Sequence, residues 1–191
     1  MSSATPTAKS KAKTNAIQPR HVAVAIPYRY DSVQSQSRPQ GDLQICLVTS
    51  RKHDGLYVLP KGGVEAGESS SEAAIREMWE EAGLRPAPSN HHSAPVDSSG
   101  LEPSLLRSNM VADHKPHKFS PSADPLSPAF VPRAIYTAHE FEIKDSNSSS
   151  AVWPESRERQ RKWVSLKEAK EGIRWRKDIA ELLDRSTLGG Y

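Results

Sequence analysis

A chain of 191 residues has room for one domain, two at most. Its apolar share is only 36% with a mean hydropathy of −0.66, so part of it is expected to stay unfolded, and no run approaches the ~20 apolar residues of a bilayer span. The single cysteine, Cys46, excludes an internal disulfide or a Cys-rich zinc site, while a net charge of +3 is too mild to diagnose nucleic-acid binding.

In chain order, residues 1–17 are Ser, Thr, Ala and Lys without periodicity and read as a disordered basic tail with no secretory h-region. His21–Tyr28 reads as a strand, 31–41 as a Ser/Gln-rich loop, Leu43–Thr49 as a second strand with Cys46 as a small core residue, and Leu56–Leu59 as a short third. Ser69–Ala82 is the best helix. Ser69 and Glu72 form a capping-box pattern, Gly83 stands at the C′ position, and Ala74, Ile75, Met78, Trp79 and Ala82 make one apolar face. Residues 86–128 hold 8 Pro and 9 Ser among 43 residues and read as a flexible insertion. Four of the seven histidines lie there (His91, His92, His114, His117), with no periodic scaffold to fix a metal geometry. Phe130–Ile143 returns to strand character, Arg161–Ser165 reads as another strand, and Leu166–Arg174 and Asp178–Leu183 read as helices. One α/β domain over 18–187 is expected, with 188–191 as a tail.

The chemistry is concentrated around the first helix. Residues 56–84 carry six acids and two bases, whereas 155–177 carry nine bases and four acids. Glu77, Glu80 and Glu81 are spaced i, i+3, i+4, so they lie on one helical surface, and three carboxylates there repel unless a counter-charge is supplied. A hard divalent cation removes that conflict, with Mg²⁺ the first candidate and Mn²⁺ an acceptable substitute. Gly62, Gly63 and Gly67 let backbone approach a ligand or metal closely, Lys61 adds a charge directed at phosphate, and Glu68 is near enough to join the shell. Carboxylate-held metal beside a glycine-rich anion site reads as metal-assisted hydrolysis of a phosphoanhydride.

The run Gly62-x5-Glu68-x7-Arg76-Glu77-Met78-x-Glu80-Glu81-x-Gly83-Leu84 fills every defining position of a 23-residue pattern and resembles a complete Nudix box. That resemblance implies an α/β/α sandwich around a mixed β-sheet, with the box as loop–helix–loop. It implies Glu77 and Glu81 as metal ligands beside Gly62, Glu80 as a further ligand or the catalytic base, and Arg76 as the residue orienting the glutamates. The loop Pro60-Lys61-Gly62-Gly63-Val64-Glu65 resembles that of the diphosphoinositol polyphosphate phosphohydrolases, which also cleave diadenosine polyphosphates. Trp153 to Trp163, Lys167-Glu-Ala169, Arg133-Ala-Ile-Tyr136 and Glu140-Phe-Glu142 are similar to the later part of fungal members. The likeness covers about 18–85 and 130–187, and the insertion departs from the compact members.

By the same resemblance, phosphate contacts fall on Arg20, on Ser50 with Arg51 or Lys52, on Lys61, Gly62 and Gly63, on Arg133, on Arg159 and Arg161, and on Lys177. Several Arg and Lys around a metal suit a substrate as anionic as an inositol pyrophosphate or a dinucleoside polyphosphate such as Ap5A or Ap6A. The expectation is a monomeric, cytoplasmic hydrolase of such small molecules, with the nucleus a second expected location and no membrane or nucleic-acid partner. Two alternatives stay open: an mRNA-decapping or other nucleoside-diphosphate hydrolase, and a non-catalytic polyphosphate-binding module.

Overall fold

The computed structural model describes residues 17–31, 42–86, 109–144 and 149–189. The N-terminal tail, the 32–41 loop, His91, His92 and the first part of the insertion lie outside the described residues. The strands are β1 (Arg20–Asp31), β2 (Asp42–Thr49), β3 (Tyr57–Val58), β4 (Lys61–Gly63), β5 (Met110–Ala112), β6 (Ala134–Glu142) and β7 (Arg161–Ser165). The helices are α1 (Ser70–Ala82), α2 (Leu166–Gly172) and α3 (Lys177–Asp184).

The strands form one mixed sheet in the order β3-β2-β1-β6-β5, with β4 added to β1 and β7 to β2. β1 and β6 run parallel over nine register pairs, Arg20↔Ala134 to Tyr28↔Glu142, and the other pairings are antiparallel. α1 lies against β1, β4 and β6, α2 against β2 and β7, and α3 against β5 and β6. The sheet is therefore the middle layer of an α/β/α sandwich. Cover on both faces explains why Val22 to Ile26 are all buried instead of alternating.

One edge of β1 is shared in succession. Tyr28–Asp31 pair with β2, and Val22–Val24 pair with β4.

α1 begins and ends where its sequence directs. The Ser69 hydroxyl accepts the Glu72 N–H and the Glu72 carboxylate accepts the Ser69 N–H, satisfying two N-terminal donors at once. Gly83 takes a left-handed φ of 63° and donates its N–H back into the last turn, and a Cβ there would sit 2.9 Å from Trp153.

Two strands fall where a loop was expected. Lys61–Gly63 is the edge strand β4 even though two of its three residues are glycine. In the segment read as a flexible insertion, β5 pairs with β6 through Val111↔Tyr136, and residues 113–133 form a hydrogen-bonded loop. Asp113, Ser120, Ser122 and Asp124 side chains accept backbone N–H groups there. The Ser, Asp and Pro content that reads as disorder is here turn chemistry.

Candidate active site

Arg76 is the hub of the box. Its Nε and Nη2 meet both oxygens of Glu68 at 2.8 and 3.0 Å, Nη2 also donates to the Gly63 carbonyl at 3.0 Å, and Nη1 reaches Glu77 at 2.8 Å and Glu80 at 3.3 Å. One guanidinium thereby ties the loop before α1 to two carboxylates on it. The Arg76 bond draws the Glu68 carboxyl below its ordinary value.

The three glutamates share a helical surface but not a common environment. Glu80 is the most open, with its side chain 38% exposed against 14% for Glu77. Glu81 is buried, accepts the Lys61 N–H at 3.1 Å and is paired with Arg159. Burial raises the Glu77 carboxyl, aided by the charges of Glu80 and Glu155 against the opposing pull of Arg76. Burial pushes Glu81 up to about 7, against the opposing pull of Lys61 and Arg159. Among the described residues no group of three His, Cys, Asp or Glu side chains stands ready as a metal shell. The expected convergence is corrected to that extent: Glu77 and Glu80 converge on Arg76, and Glu81, a turn beyond Glu77, is drawn to Arg159. Glu68 is engaged by Arg76 through both of its oxygens.

The donor chemistry nevertheless fits a hard divalent cation. All three groups are carboxylates, two of them destabilised as anions by burial. The backbone at Gly62 lies so close to Glu77 that an added Cβ would fall 1.8 Å from Oε1, so a side chain there would have to displace that carboxylate.

Next to this helix lies a cavity of about 550 Å³. It is lined by Arg20, Val22, Ser50, Arg51, Lys52, His53, Lys61, Gly62, Glu81, Arg133, Ala134, Tyr136, Arg159 and Arg176. Seven Arg or Lys thus face a single lining carboxylate. Glu77 and Glu80 are not among the lining residues. Burial lowers the Lys61 ammonium, with Glu81 opposing and Arg176 and Arg159 assisting.

Most of the expected phosphate contacts gather here, with qualifications. Ser50 lines the cavity, but its hydroxyl already accepts the Lys52 and His53 N–H groups at 3.3 and 3.2 Å. Arg51 is engaged by Glu155 at 2.5 Å and Glu158 at 2.8 Å. Arg159 is buried and bonded to Glu155 at 2.6 Å, to the Thr49 carbonyl at 2.6 Å and to Glu81, so it serves as an internal brace. Gly63 lies off the lining, beside the Arg20 guanidinium, which an added Cβ would approach to 2.7 Å.

Two expectations are displaced. Arg161 turns to the Ala82 and Ser150 carbonyls and stacks on Trp153, so it closes the end of α1 away from the cavity. Lys177 does not line the cavity; its neighbour Arg176 does, fixed by Asp178 two residues on. Sequence spacing also missed His53, Tyr136, Glu155 and Asp113. An Arg-x-Asp pattern at a helix start marks Arg176, whereas no local signal marks the others. His114 and His117 engage Glu181 and the Phe119 N–H, and enter no metal-binding group among the described residues.

A profile described as NUDIX domain matches residues 19–185. Nudix hydrolase 16, mitochondrial, of Arabidopsis thaliana is 32% identical over 177 residues, covering 87% of this chain and 84% of its own length. Nudix hydrolase 21, chloroplastic, of the same plant is 34% identical over 152 residues, covering 80% of this chain; the chain spans 59% of that relative's length. The solved structure of a C. elegans Ap4A hydrolase superposes with a TM-score of 0.50 at 15% identity, over 91% of this chain and 100% of that one, a likeness of fold.

Proposed function

Because this chain belongs to the Nudix family and is a Nudix hydrolase, we propose that it cleaves phosphoanhydride bonds in densely phosphorylated small molecules. Its substrates in this reading are diphosphoinositol polyphosphates, from which it removes the β-phosphate, and diadenosine penta- and hexaphosphates. The observation that carries this choice is the cavity wall, where seven cationic side chains meet the buried end of the box helix. A single pyrophosphate needs fewer; a polyanion with phosphates on several sides uses them.

In this reading each residue takes a distinct role. Glu77, Glu80 and Glu81, beside Gly62, would hold Mg²⁺ or Mn²⁺. A bound divalent cation supplies charge neutralisation at the phosphoanhydride oxygens and eases deprotonation of water. Arg76 fixes the directions of Glu77 and Glu80 through one nitrogen. Glu80, the most accessible of the three carboxylates, accepts the proton of the attacking water. Lys61, Arg20 and Lys52 bind phosphate oxygens, and Arg51 joins them by exchanging its Glu155 and Glu158 partners for substrate. Arg159 holds Glu81 in place from behind.

The test is phosphate release from a diphosphoinositol polyphosphate in Mg²⁺, run beside diadenosine hexaphosphate and capped RNA. Turnover of the first two ahead of the cap is expected. Cleavage of the cap alone, or tight binding without product, would replace this reading.

A further inference from the structure

One wall of the cavity draws on three separate segments and is backed by two buried acids. Asp113 follows β5 and is only 4% exposed, yet it accepts Arg133 Nη2 at 2.7 Å and Nε at 2.9 Å. The Tyr136 hydroxyl donates to the same Asp113 oxygen at 3.4 Å and accepts Arg176 Nη2 at 3.2 Å. Asp178 then takes Arg176 through Nη2 at 2.8 Å and Nε at 3.2 Å. The acids lie behind and the guanidiniums in front: the Asp113 and Asp178 side chains are 4% and 10% exposed, against 52% for Arg133 and 25% for Arg176. Arg133, Tyr136 and Arg176 all line the cavity. Asp113 and Asp178 each take their arginine through Nε and Nη2, so one edge of each guanidinium is held from behind.

We propose that Arg176 and Arg133 form a preorganised two-guanidinium subsite for a phosphate lying outside the scissile pyrophosphate, and that Asp113 is the positioning residue that sets it. The polyanion that enters the subsite is the one named under the hydrolase reading, on which the inference rests. The segment carrying Asp113 is thereby part of the substrate site. Holding a guanidinium by two nitrogens before the ligand arrives removes side-chain freedom that binding otherwise has to freeze. It also fixes the direction of the remaining donors, so the subsite selects phosphate position as well as charge.

Charge alone predicts the opposite of this for one substitution. Asp113→Asn removes an acid from a site for anions, so a through-space effect tightens binding, whereas loss of positioning weakens it. The probe is inositol hexakisphosphate, which has no phosphoanhydride bond to cleave, titrated by calorimetry at fixed ionic strength into the full chain. Arg176→Gln is expected to weaken binding about 10-fold or more, the scale of a lost charge-assisted hydrogen bond. Asp113→Asn and Tyr136→Phe are expected to weaken it about 3-fold or more, and Arg176→Lys to recover only part of the loss. With a diphosphoinositol polyphosphate, KM should rise further than kcat falls. Circular dichroism checks the fold of each variant, and Arg176→Gln with Arg176→Lys decides the matter if Asp113→Asn does not fold. Wild-type affinity in Arg176→Gln, or tighter binding in a folded Asp113→Asn, overturns the subsite. Hexakisphosphate binding that needs Arg176, in a chain that hydrolyses no phosphoanhydride, keeps the subsite and overturns the hydrolase substrate. Turnover of dinucleoside polyphosphates without any hexakisphosphate binding does the reverse.

Discussion

The carboxylate-bearing helix and the basic cavity beside it are built on different principles. The acidic side comes from one contiguous stretch, 62–84, in which a single helix sets the spacing of the carboxylates and Arg76 ties them to the preceding loop. The basic side collects Arg20, Arg51, Lys52, Lys61, Arg133 and Arg176 from strand ends, loops and a helix start spread along most of the chain. Chemistry that must be exact is placed on a rigid local scaffold. Binding, which tolerates variation, is distributed over elements that only the sheet brings together.

That contrast can be attacked first at its seam, Arg159. Arg159→Ala strands the buried Glu81 carboxylate without its partner and should cost about 3–5 kcal/mol. Thermal denaturation should show a midpoint lower by on the order of 10 °C; an unchanged midpoint would mean that Glu81 does not need its brace. Glu80→Gln, on the acidic side, should lower kcat by about 10²-fold or more, near 2.7 kcal/mol of barrier, with the melting curve kept. Near-normal turnover would remove Glu80 from proton transfer. On the basic side the losses should be smaller and appear in KM. Arg51→Ala should raise it by roughly 3-fold, and Lys177→Ala, one residue beyond the lining Arg176, by less than about 2-fold. Equal effects from the two would restore Lys177 to the site.

The smallest expected effect lies outside the cavity, at His139, whose Nε2 is 2.9 Å from the Ser70 hydroxyl. Burial holds this imidazole below its ordinary 6.5. The unfolded chain therefore takes up the proton first. The stabilisation from a neutral ring is present above about pH 6.5 and is lost as pH falls through the depressed folded value. His139→Gln should flatten the dependence of the melting midpoint on pH in that acidic window. A slope identical to wild type would locate the acid sensitivity elsewhere.

What could be read from the sequence follows the same division. α1, its capping box and the Gly83 turn are fixed by interactions within five residues, so local spacing places them to within a residue. Cys46, read as a core residue, is fully buried in β2. β4 and β5 were illegible because neither has strand-forming length; each exists only through its partner, β1 or β6. Arg159 and Arg161 look alike in sequence, two residues apart in one basic run. One braces Glu81 while the other caps the end of α1 on carbonyls, a distinction made by what the β7 approach packs against. Asp113 sits among prolines and serines, and only pairing with Arg133, 20 residues away, reveals its use.

Cys46 offers a practical handle. With its thiol sealed in the central sheet and pushed up to about 12 by burial, an alkylating reagent has neither access nor thiolate to attack in the native protein. Modification must wait for β2 to part from its neighbours. The speed at which one label is incorporated therefore serves as a clock for opening of the central sheet, with no second sulfhydryl anywhere in the chain to confuse the count.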